Sequence, residues 1–331
     1  MTTQPWNPGE LLEMSGAFWK TCTLHAAVKL ELFSAIDADR LSAEAIADKI
    51  NGSLKGVVRL LNALVAMALL EKDGDDYVNI PVGREFLCKQ STKYIGHIIM
   101  HHHHLVEGWS QLDQAVMTGQ PIRSRSSFSK AEWRESFLMG MFNLAMNLAP
   151  RLVPSVDLSS RYHLLDLGGG PGTYAIHFCL NNPGLKATVF DLPTTKPFAE
   201  KTIKKFELAD RIDFMAGNYV EDEISGTYDA AWLSHILHGE GPQTCREIIQ
   251  KTVAAMEPGA SIVIHDFILD DSMDGPLFPA LFSLNMLLGT ESGQSYSESQ
   301  IREMLSACGL KNIRRLAIQS PNDSGIIIGT V

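Results

Sequence analysis

The sequence predicts an α/β protein in which a mainly α domain precedes a domain built on a mostly parallel sheet. From residue 9 to about residue 150, apolar residues recur at helical spacing, whereas from Tyr162 onward short apolar or β-branched runs alternate with helical stretches. Such alternation is typical of a parallel sheet covered by helices. The segment "APRLVPSVDLSSRYH", with two prolines and a serine pair, marks the boundary. We expect a first domain over residues 1–105, a helical linker over 106–155 that contributes to a binding pocket, and a sheet domain over 156–331.

The first domain has the element order of a winged helix. Ser42 caps a predicted helix in "LSAEAIADKI", a second helix starts at Ser53, and the Asp73-Gly74 turn predicts a hairpin after it. Winged helices often bind DNA, but the second helix carries only Lys55 and Arg59 at its start and is apolar beyond them. It suits burial better than a phosphate-lined groove, so we interpret this domain as an interface.

The opening segment "ELLEMSGAFWKTCTLHAAVKLELFSAI" has an apolar stripe of its own. The stripe passes through Leu11, Phe18, Leu24, Val28 and Phe33. This is more apolar surface than one small domain can cover, so we expect pairing with a second copy as a homodimer.

Composition excludes several classes of partner. The 331-residue chain is 45% hydrophobic and has a formal net charge of -10, with no basic block, which argues against nucleic acid or an anionic membrane as partner. Five cysteines without a CxxC pair indicate reduced thiols. The start "MTTQPWNPGE" lacks a signal-peptide pattern, and the longest apolar run, "LVAMALL", is too short for a membrane span. We therefore expect a soluble, cytoplasmic protein with a small-molecule ligand.

The segment "YHLLDLGGGPGTYAIHF" combines a strand, a glycine turn and a helix. Its turn holds Gly168, Gly169, Gly170 and Gly172, where bare backbone can approach a ligand. The dinucleotide fingerprint GxGxxG would place glycine at position 173, but this chain has Thr173, so a pyrophosphate is not favoured.

Two further strand ends carry groups suited to a nucleoside. Asp191 ends "KATVFDLP", 23 residues after Gly168, where a carboxylate can accept both ribose hydroxyls. Gly217, Asn218 and Tyr219 end "RIDFMAGNY" and offer an amide and an aromatic ring to an adenine. Three successive strand ends therefore favour a nucleoside cofactor without a phosphate chain.

The motifs together resemble a known family. The chain is similar to the class I S-adenosylmethionine (SAM) methyltransferases, in particular to the two-domain small-molecule O-methyltransferases that include plant caffeic acid and bacterial antibiotic-pathway enzymes. The resemblance covers nearly the whole chain, through the winged helix and the motifs "FNLAM", "DLGGGPGT", "FDLP", "GNY", "SHILHGEG", "HDFILD" and "GQSYSESQIREMLSACGL". It implies a winged-helix dimerisation domain followed by a Rossmann-like domain with a seven-stranded sheet.

The resemblance also implies a cofactor site for SAM. Asp166, Gly168 and the glycine turn through Gly170 would lie along its methionine part, with Ser234 nearby. Asp191 would hold the ribose. The adenine would be enclosed by Leu192, Gly217, Asn218 and Tyr219, although the family usually has aspartate at position 218.

For catalysis, His238 aligns with the family's general base and Asp266 with the acid that orients it. Imidazole, whose ordinary pKa is about 6.5, can take a proton from a hydroxyl at neutral pH. The chain departs from the family at two places. Where the family usually has His-Asp-Trp, this chain has His238-Gly239-Glu240, and where the family has a second acid, this chain has Ser295. These departures leave methylation at carbon or nitrogen open as an alternative to oxygen.

The acceptor pocket is the least constrained part of the prediction. "GHIIMHHHHLVEGW" places His97, His101 and His104 on one helical face, and we expect His101 or His104 to face the acceptor, with a solvated helix surface as the alternative. No cysteine or carboxylate partner at metal-site spacing follows, so no metal is expected. The other expected substrate-binding residues are Phe142, Met146, Asn285 and Met286.

The sequence therefore predicts a SAM-dependent O-methyltransferase acting on an aromatic or polycyclic small molecule. Two other classes stay open at this point: a dehydrogenase on a similar sheet, opposed by Thr173, and a winged-helix regulator that retains a ligand-binding sheet, opposed by the acidic charge and the apolar second helix.

Overall fold

The computed structural model describes residues 6–125, 130–318 and 320–331. It divides into two compact units, residues 1–105 and 106–331. Residues 1–5 lie outside the described ranges. They are part of the segment "MTTQPWNPGE", in which the sequence analysis found no signal-peptide pattern.

The first unit consists of short helices and a small antiparallel sheet with the strand order β1-β3-β2. Its helices are α1 (Pro8–Gly16), α2 (Phe18–Lys29), α3 (Leu32–Ile36), α4 (Ala43–Lys49), α5 (Leu54–Ala66), α6 (Pro81–Phe86) and α7 (Gly96–Trp109), the last of which runs on into the second unit. Its strands are β1 (Leu41–Ser42), β2 (Leu70–Asp73) and β3 (Asp76–Asn79).

Local sequence signals explain these elements. The Ser42 hydroxyl accepts a hydrogen bond from the Ala45 amide at 3.3 Å and caps α4. In the hairpin, Asp73 pairs with Asp76 around Gly74, whose φ of +64° suits glycine. The order of helix, helix and hairpin is therefore present as predicted.

The apolar stripe of the opening segment divides into two parts. Val28 and Phe33 are buried in the core of the first unit, at 3% and 1% exposure. In contrast, Leu11 and Phe18 are 52% and 59% exposed, and Trp19 is 71% exposed. The beginning of the segment thus presents large apolar side chains that this unit does not cover.

The second unit alternates helices with the strands of one large sheet. Its helices are α8 (Leu112–Thr118), α9 (Ala131–Leu152), α10 (Thr173–Asn181), α11 (Lys196–Lys205), α12 (Pro242–Ala254), α13 (Leu277–Gly289) and α14 (Glu298–Ala307). Its strands are β4 (His163–Leu167), β5 (Lys186–Asp191), β6 (Ile212–Ala216), β7 (Tyr228–Ser234), β8 (Met256–Leu269), β9 (Tyr296–Ser297), β10 (Lys311–Arg315) and β11 (Ser324–Thr330).

Seven strands follow the order β10-β11-β8-β7-β4-β5-β6, and β9 pairs with β8. Strands β8, β7, β4, β5 and β6 are parallel, whereas β11 is antiparallel to both of its neighbours. The chain proceeds outward from β4 through β5 to β6 and then returns to the other side of β4 with β7. The sheet order therefore reverses between β4 and β7, which is where open α/β sheets bind their ligands.

The sheet separates two apolar cores. Side chains alternate along β7, so that Ala231 and Leu233 contribute to one core while Ala230 and Trp232 contribute to the other. Burial on both faces fixes the strand register, and with it the position of every strand end.

Across the described ranges, we find no helix that combines the length and the apolar character needed to span a bilayer.

Candidate active site

The glycine turn follows β4 directly. Gly168 has a φ of +65°, and a Cβ atom there would lie 2.5 Å from the Ile236 side chain. A Cβ at Gly169 would overlap the carboxyl group of Asp166 at 2.6–2.9 Å. Gly170, with a φ of +55°, has open space where its Cβ would be. The first two positions thus exclude a side chain by crowding, whereas Gly170 leaves bare backbone facing free volume.

Asp166 is a buried carboxyl group with spare hydrogen-bonding capacity. It is 1% exposed, and its Oδ2 accepts a hydrogen bond from the Ala175 amide at 3.1 Å. Within the described ranges its Oδ1 has no hydrogen-bond partner. Burial raises the pKa of Asp166 to about 7, against the opposing effect of the Ala175 amide. A cationic or hydrogen-donating ligand group at Oδ1 would stabilise the ionised form.

Asp191 at the end of β5 connects the glycine turn to the next strand end. Its Oδ2 accepts from the Gly170 amide at 2.8 Å, and its Oδ1 accepts from the Leu192 amide at 2.7 Å and the Thr195 hydroxyl at 2.9 Å. Burial raises the pKa of this carboxyl group, although the three hydrogen bonds act in the opposite direction. The carboxylate is therefore held rigidly beside the bare backbone of Gly170.

The residues that follow β6 lie at the same edge of the sheet as the glycine turn. A Cβ at Gly217 would lie 2.3 Å from the Phe190 ring, so this position needs glycine. The Tyr219 ring comes within 3.3 Å of the Cβ position of Gly168. The side-chain oxygen of Asn218 accepts from the Val220 amide at 3.0 Å. One lone pair of that oxygen is thus engaged locally, which leaves the other for a ligand.

Ser234 ends β7 and bonds to a buried histidine. Its hydroxyl lies 2.9 Å from Nδ1 of His265, and Nε2 of the same ring lies 3.2 Å from the Ser324 hydroxyl. Burial holds the pKa of His265 well below its usual range, so the ring is neutral. His265 therefore fixes the serine at the strand end without adding charge.

His238 and Asp266 form the shortest acid–imidazole contact described at this edge. His238 lies in the short 3₁₀ turn Leu237–Gly239 after β7, and its Nδ1 is 2.6 Å from Oδ1 of Asp266 on β8. The Phe282 ring packs against the imidazole with the ring centroids 4.7 Å apart. A proton on Nδ1 that is donated to the carboxylate leaves the lone pair on Nε2 available to accept a proton.

The ionisation of Asp266 depends on its neighbours. The side chain is 3% exposed, and burial alone would raise its pKa. The two histidines that contact it, His238 and His235, outweigh burial and hold the pKa of Asp266 well below its usual range. Asp266 is therefore an ionised carboxylate at neutral pH.

His235 is a second imidazole beside the same carboxylate. Its Nδ1 lies 3.4 Å from Oδ1 of Asp266, and its backbone has a φ of +56°, an uncommon conformation for a residue other than glycine. One nitrogen from each histidine and one oxygen of Asp266 lie within 4.8 Å of one another, which a metal ion could use. However, 2.6 Å between His238 and Asp266 is a hydrogen-bond distance. Two ligands each about 2.0–2.2 Å from one zinc ion stand farther apart, at about 3 Å or more.

Glu240, which stands where the family has tryptophan, is paired with an arginine. It is 8% exposed, and its Oε1 lies 2.6 Å from Nη1 of Arg125. Arg125 also donates through Nη2 to the carbonyl of Gly239. The sequence analysis missed Arg125, because 115 residues separate it from Glu240 and no local pattern signals the pair.

Ser295 has a structural contact of its own. Its hydroxyl is buried and donates to the carbonyl of Pro279 on α13 at 2.8 Å. It therefore anchors the beginning of that helix to the chain before α14.

The expected acceptor-binding residues lie on three helices. Asn285 and Met286 are on α13, the helix whose Phe282 contacts His238. Phe142 and Met146 are on α9, and Sδ of Met146 lies 3.5 Å from Nε2 of His177. His101 lies on α7 in the first unit and is 9% exposed. Phe282, which the sequence analysis did not single out, is a further aromatic wall of the site.

Comparison with known families assigns both parts of the chain. A family model described as an O-methyltransferase domain matches residues 109–311, and one described as an O-methyltransferase dimerisation domain matches residues 12–89.

Individual relatives match over nearly their whole length. The chain is 31% identical to a 3-hydroxy-5-methyl-1-naphthoate 3-O-methyltransferase of Streptomyces sahachiroi, over 97% of this chain and 95% of the relative. It is 29% identical to the tetracenomycin polyketide synthesis 8-O-methyl transferase TcmO of Streptomyces glaucescens, over 96% of each chain. A solved structure of the Serratia protein PigF with SAH superposes with a TM-score of 0.90 at 25% identity, covering 98% of this chain and 100% of that one.

Proposed function

This chain belongs to the O-methyltransferase family, and on that premise we propose that it transfers a methyl group from SAM to a hydroxyl of an aromatic or polycyclic small molecule, with His238 as general base. The observation that carries the proposal is the 2.6 Å contact between His238 and Asp266 at the sheet edge that bears the glycine turn. The chain is a SAM-dependent enzyme by family, and the assignment of roles to individual residues is ours.

The residues at the strand ends fit the cofactor. Bare backbone at Gly170 and the unpartnered oxygen of Asp166 suit the methionine part, whose ammonium group would stabilise the Asp166 carboxylate. Asp191 would hold the ribose hydroxyls. Leu192, Gly217, Asn218 and Tyr219 would enclose the adenine, and Ser234 would lie near the methionine. When bound, SAM supplies a methyl group on a positively charged sulfur.

The protein's own contribution is to position the acceptor and remove its proton. With the proton of His238 on Nδ1 and donated to Asp266, Nε2 would point its lone pair away from the carboxylate. That nitrogen would take the hydroxyl proton as the oxygen becomes the nucleophile, and Asp266 would stabilise the resulting imidazolium. Methyl transfer is an in-line displacement, so the remaining task is orientation.

The surroundings of His238 support an aromatic acceptor. Phe267 and Phe282 present rings to the imidazole at centroid distances of 6.1 Å and 4.7 Å. Apolar aromatic walls favour a flat ring system over a sugar or a peptide. The relatives named for a hydroxy-naphthoate and for tetracenomycin polyketide synthesis are consistent with this class. We propose that Phe142, Met146, Asn285 and Met286 complete the pocket, with the helical stretch 106–155 contributing to it. The role expected for His101, which lies in the first unit, stays a prediction.

We further propose that the chain works as a homodimer formed through its first unit. The family match over residues 12–89 is to a dimerisation domain, and Phe18 and Trp19 in that range are 59% and 71% exposed. Light scattering should give twice the 36.4 kDa mass of one chain.

The proposed reaction is tested by incubating the enzyme with labelled SAM and a panel of hydroxylated naphthalenes and anthraquinones. We expect at least one product that carries the label on oxygen, as identified by NMR. Calorimetry should register SAH binding and no heat from NAD⁺. Label transferred to carbon would overturn the O-methyltransferase proposal, and NAD⁺ binding in place of SAH would support the dehydrogenase alternative.

A further inference from the structure

The segment before residue 126 lies along α13 and carries two arginines with different surroundings. We call residues 120–125 the strap. The amides of Ile122 and Arg123 both donate to the carbonyl of Leu288, at 3.0 Å and 3.1 Å. These bonds hold the strap against the helix that packs on His238.

The guanidinium of Arg123 is seated on α13. Its Nη2 donates to the side-chain oxygen of Asn285 at 3.0 Å and to the Asn285 carbonyl at 3.3 Å. A Cβ at Gly289 would lie 2.7 Å from the guanidinium, and a Cβ at Gly108 would lie 3.2 Å from Cδ of the arginine. Two glycines therefore leave the space that this side chain occupies.

The two strap arginines differ in their charge balance. Arg125 is paired with Glu240, and despite its burial that partner raises its pKa. Arg123 forms no ion pair with any carboxylate in the described part of the chain, and burial lowers its pKa. Its Nε is buried and has no acceptor among the described residues. Arg123 is a partly buried cation, and it lacks an anionic partner within the described chain, although removing a charge from water favours such a partner.

The position of Arg123 along α13 relates it to the proposed base. Phe282 contacts the His238 ring, and Asn285 follows three residues later on the same face of the helix. Three to seven helical residues, from Phe282 to Asn285 or Gly289, rise about 4.5–10.5 Å. The guanidinium thus lies about one to two helical turns from the imidazole, a span similar to the width of a two-ring aromatic molecule.

We propose that Arg123 is a specificity-determining residue that binds a carboxylate on the aromatic acceptor while the acceptor's hydroxyl lies at His238. This inference rests on the proposed function and adds the charge of the substrate to it. Nε–H has no acceptor among the described residues, and Nη1 donates only to the Ser124 carbonyl, at 3.5 Å. The guanidinium therefore keeps donors and a positive charge for a carboxylate, which binds arginine through charge-assisted hydrogen bonds.

The test compares acceptors that differ in charge and not in shape. The probes are 6-hydroxy-2-naphthoate and 3-hydroxybenzoate, each beside its uncharged carboxamide, titrated calorimetrically into the SAH-loaded dimer at fixed salt. We expect the carboxylate of at least one pair to bind about 10- to 100-fold more tightly than its amide, as is typical of hydrogen bonds between charged groups.

The variant Arg123→Gln should reduce that ratio to about one, and Arg123→Lys should retain part of it because the charge remains. Arg151→Gln, at an exposed arginine of the same unit, should leave the ratio unchanged. SAH affinity and melting temperature report whether each variant is folded, and the wild-type ratio is informative even if Arg123→Gln does not fold.

Three outcomes would overturn the inference: equal binding of carboxylate and amide in both pairs by the wild type, no binding of any probe to SAH-loaded enzyme, or an unchanged ratio in folded Arg123→Gln. SAH binding distinguishes this failure from failure of the proposed function. If SAH binds and the charge preference is missing, only the carboxylate inference fails. If SAH itself does not bind, the proposed function fails as well.

Discussion

The two halves of the candidate site are constructed in different ways. The cofactor half consists of strand ends and main chain: glycines at positions 168, 169 and 217 leave no room for a Cβ, and Asp191 bonds to the amide of Gly170. The acceptor half consists of side chains from distant segments, such as Asp266 beside His238 and Arg125 beside Glu240. The first half depends on backbone geometry, whereas the second depends on side-chain pairs that the fold brings together from distant segments.

The variant His238→Ala should separate the two halves most clearly, because it should affect turnover and not cofactor binding. Loss of a positioned base lowers turnover by about 10²–10⁴-fold, while the Kd for SAH should stay within about twofold because the glycine turn is untouched. Steady-state kinetics and calorimetry on the same preparation measure both effects. His163→Ala, at the opposite end of β4 where the ring bonds to Thr188, is the matched control. Equal losses of turnover and SAH affinity would mean that the two halves are not separable.

The converse change is Asp191→Ala in the cofactor half. Removing a carboxylate that would hold the ribose should weaken SAH binding roughly 10- to 100-fold, since hydrogen bonds to charged groups contribute about 1.5–3 kcal/mol. Turnover at saturating SAM should fall much less. Asp213→Ala, an exposed acid on the neighbouring strand β6, should change neither quantity. An unaltered Kd for SAH in Asp191→Ala would show that this carboxylate does not bind the ribose.

Two glycines of the same turn test whether the cofactor half depends on backbone that leaves no room for a Cβ. Alanine at Gly168 meets both a positive φ and the Ile236 side chain, whereas alanine at Gly170 meets a positive φ and open space. We expect Gly168→Ala to lower the free energy of unfolding by about 1–3 kcal/mol more than Gly170→Ala, the usual cost of overpacking. Chemical denaturation of the two variants measures the difference. Equal destabilisation would show that crowding at Gly168 adds nothing to the cost of its positive φ.

The smallest expected effect is a pH dependence of cofactor affinity. Burial raises the pKa of Asp166 to about 7 in the free protein, and a bound ammonium group would favour its ionised form. A ligand that prefers the carboxylate must expel the proton below that pH, so the Kd for SAH should rise by up to about tenfold per pH unit below 7 and level off above it. Calorimetry between pH 5.5 and 8.5 measures this. The slope should vanish in Asp166→Asn, and a flat wild-type profile would contradict the assignment.

Much of the cofactor half could be predicted from sequence because its signals are local. The glycine run after a buried strand and the acid that ends the next strand both lie within residues 166–191. The α/β fold class with a mostly parallel sheet is confirmed for the same reason, since burial on both faces requires the apolar runs that the sequence shows. The exception is Asn218, whose side-chain oxygen is partly engaged by the Val220 amide, a contact that residue type alone does not indicate.

Two contacts of the acceptor half escaped prediction because they join distant segments. Glu240 looked like a loss relative to the family's tryptophan, but it is a buried partner for Arg125. Ser295 looked like a missing acid, but it bonds to the Pro279 carbonyl. Neither contact leaves a periodic or spacing signal. The roles of His238, Asp266 and the acceptor-pocket residues stay predictions until they are tested.

The central claim is that His238, held by Asp266, takes the proton from the acceptor hydroxyl. The most direct test is the pH dependence of kcat for one hydroxynaphthalene acceptor in the wild type and in His238→Ala. The account predicts that wild-type kcat is already high at pH values where the acceptor hydroxyl is still protonated, because His238 removes that proton during the transfer. In the variant, kcat should be lower and should keep rising until the acceptor itself ionises. Superimposable profiles, differing neither in shape nor in height, would contradict the claim.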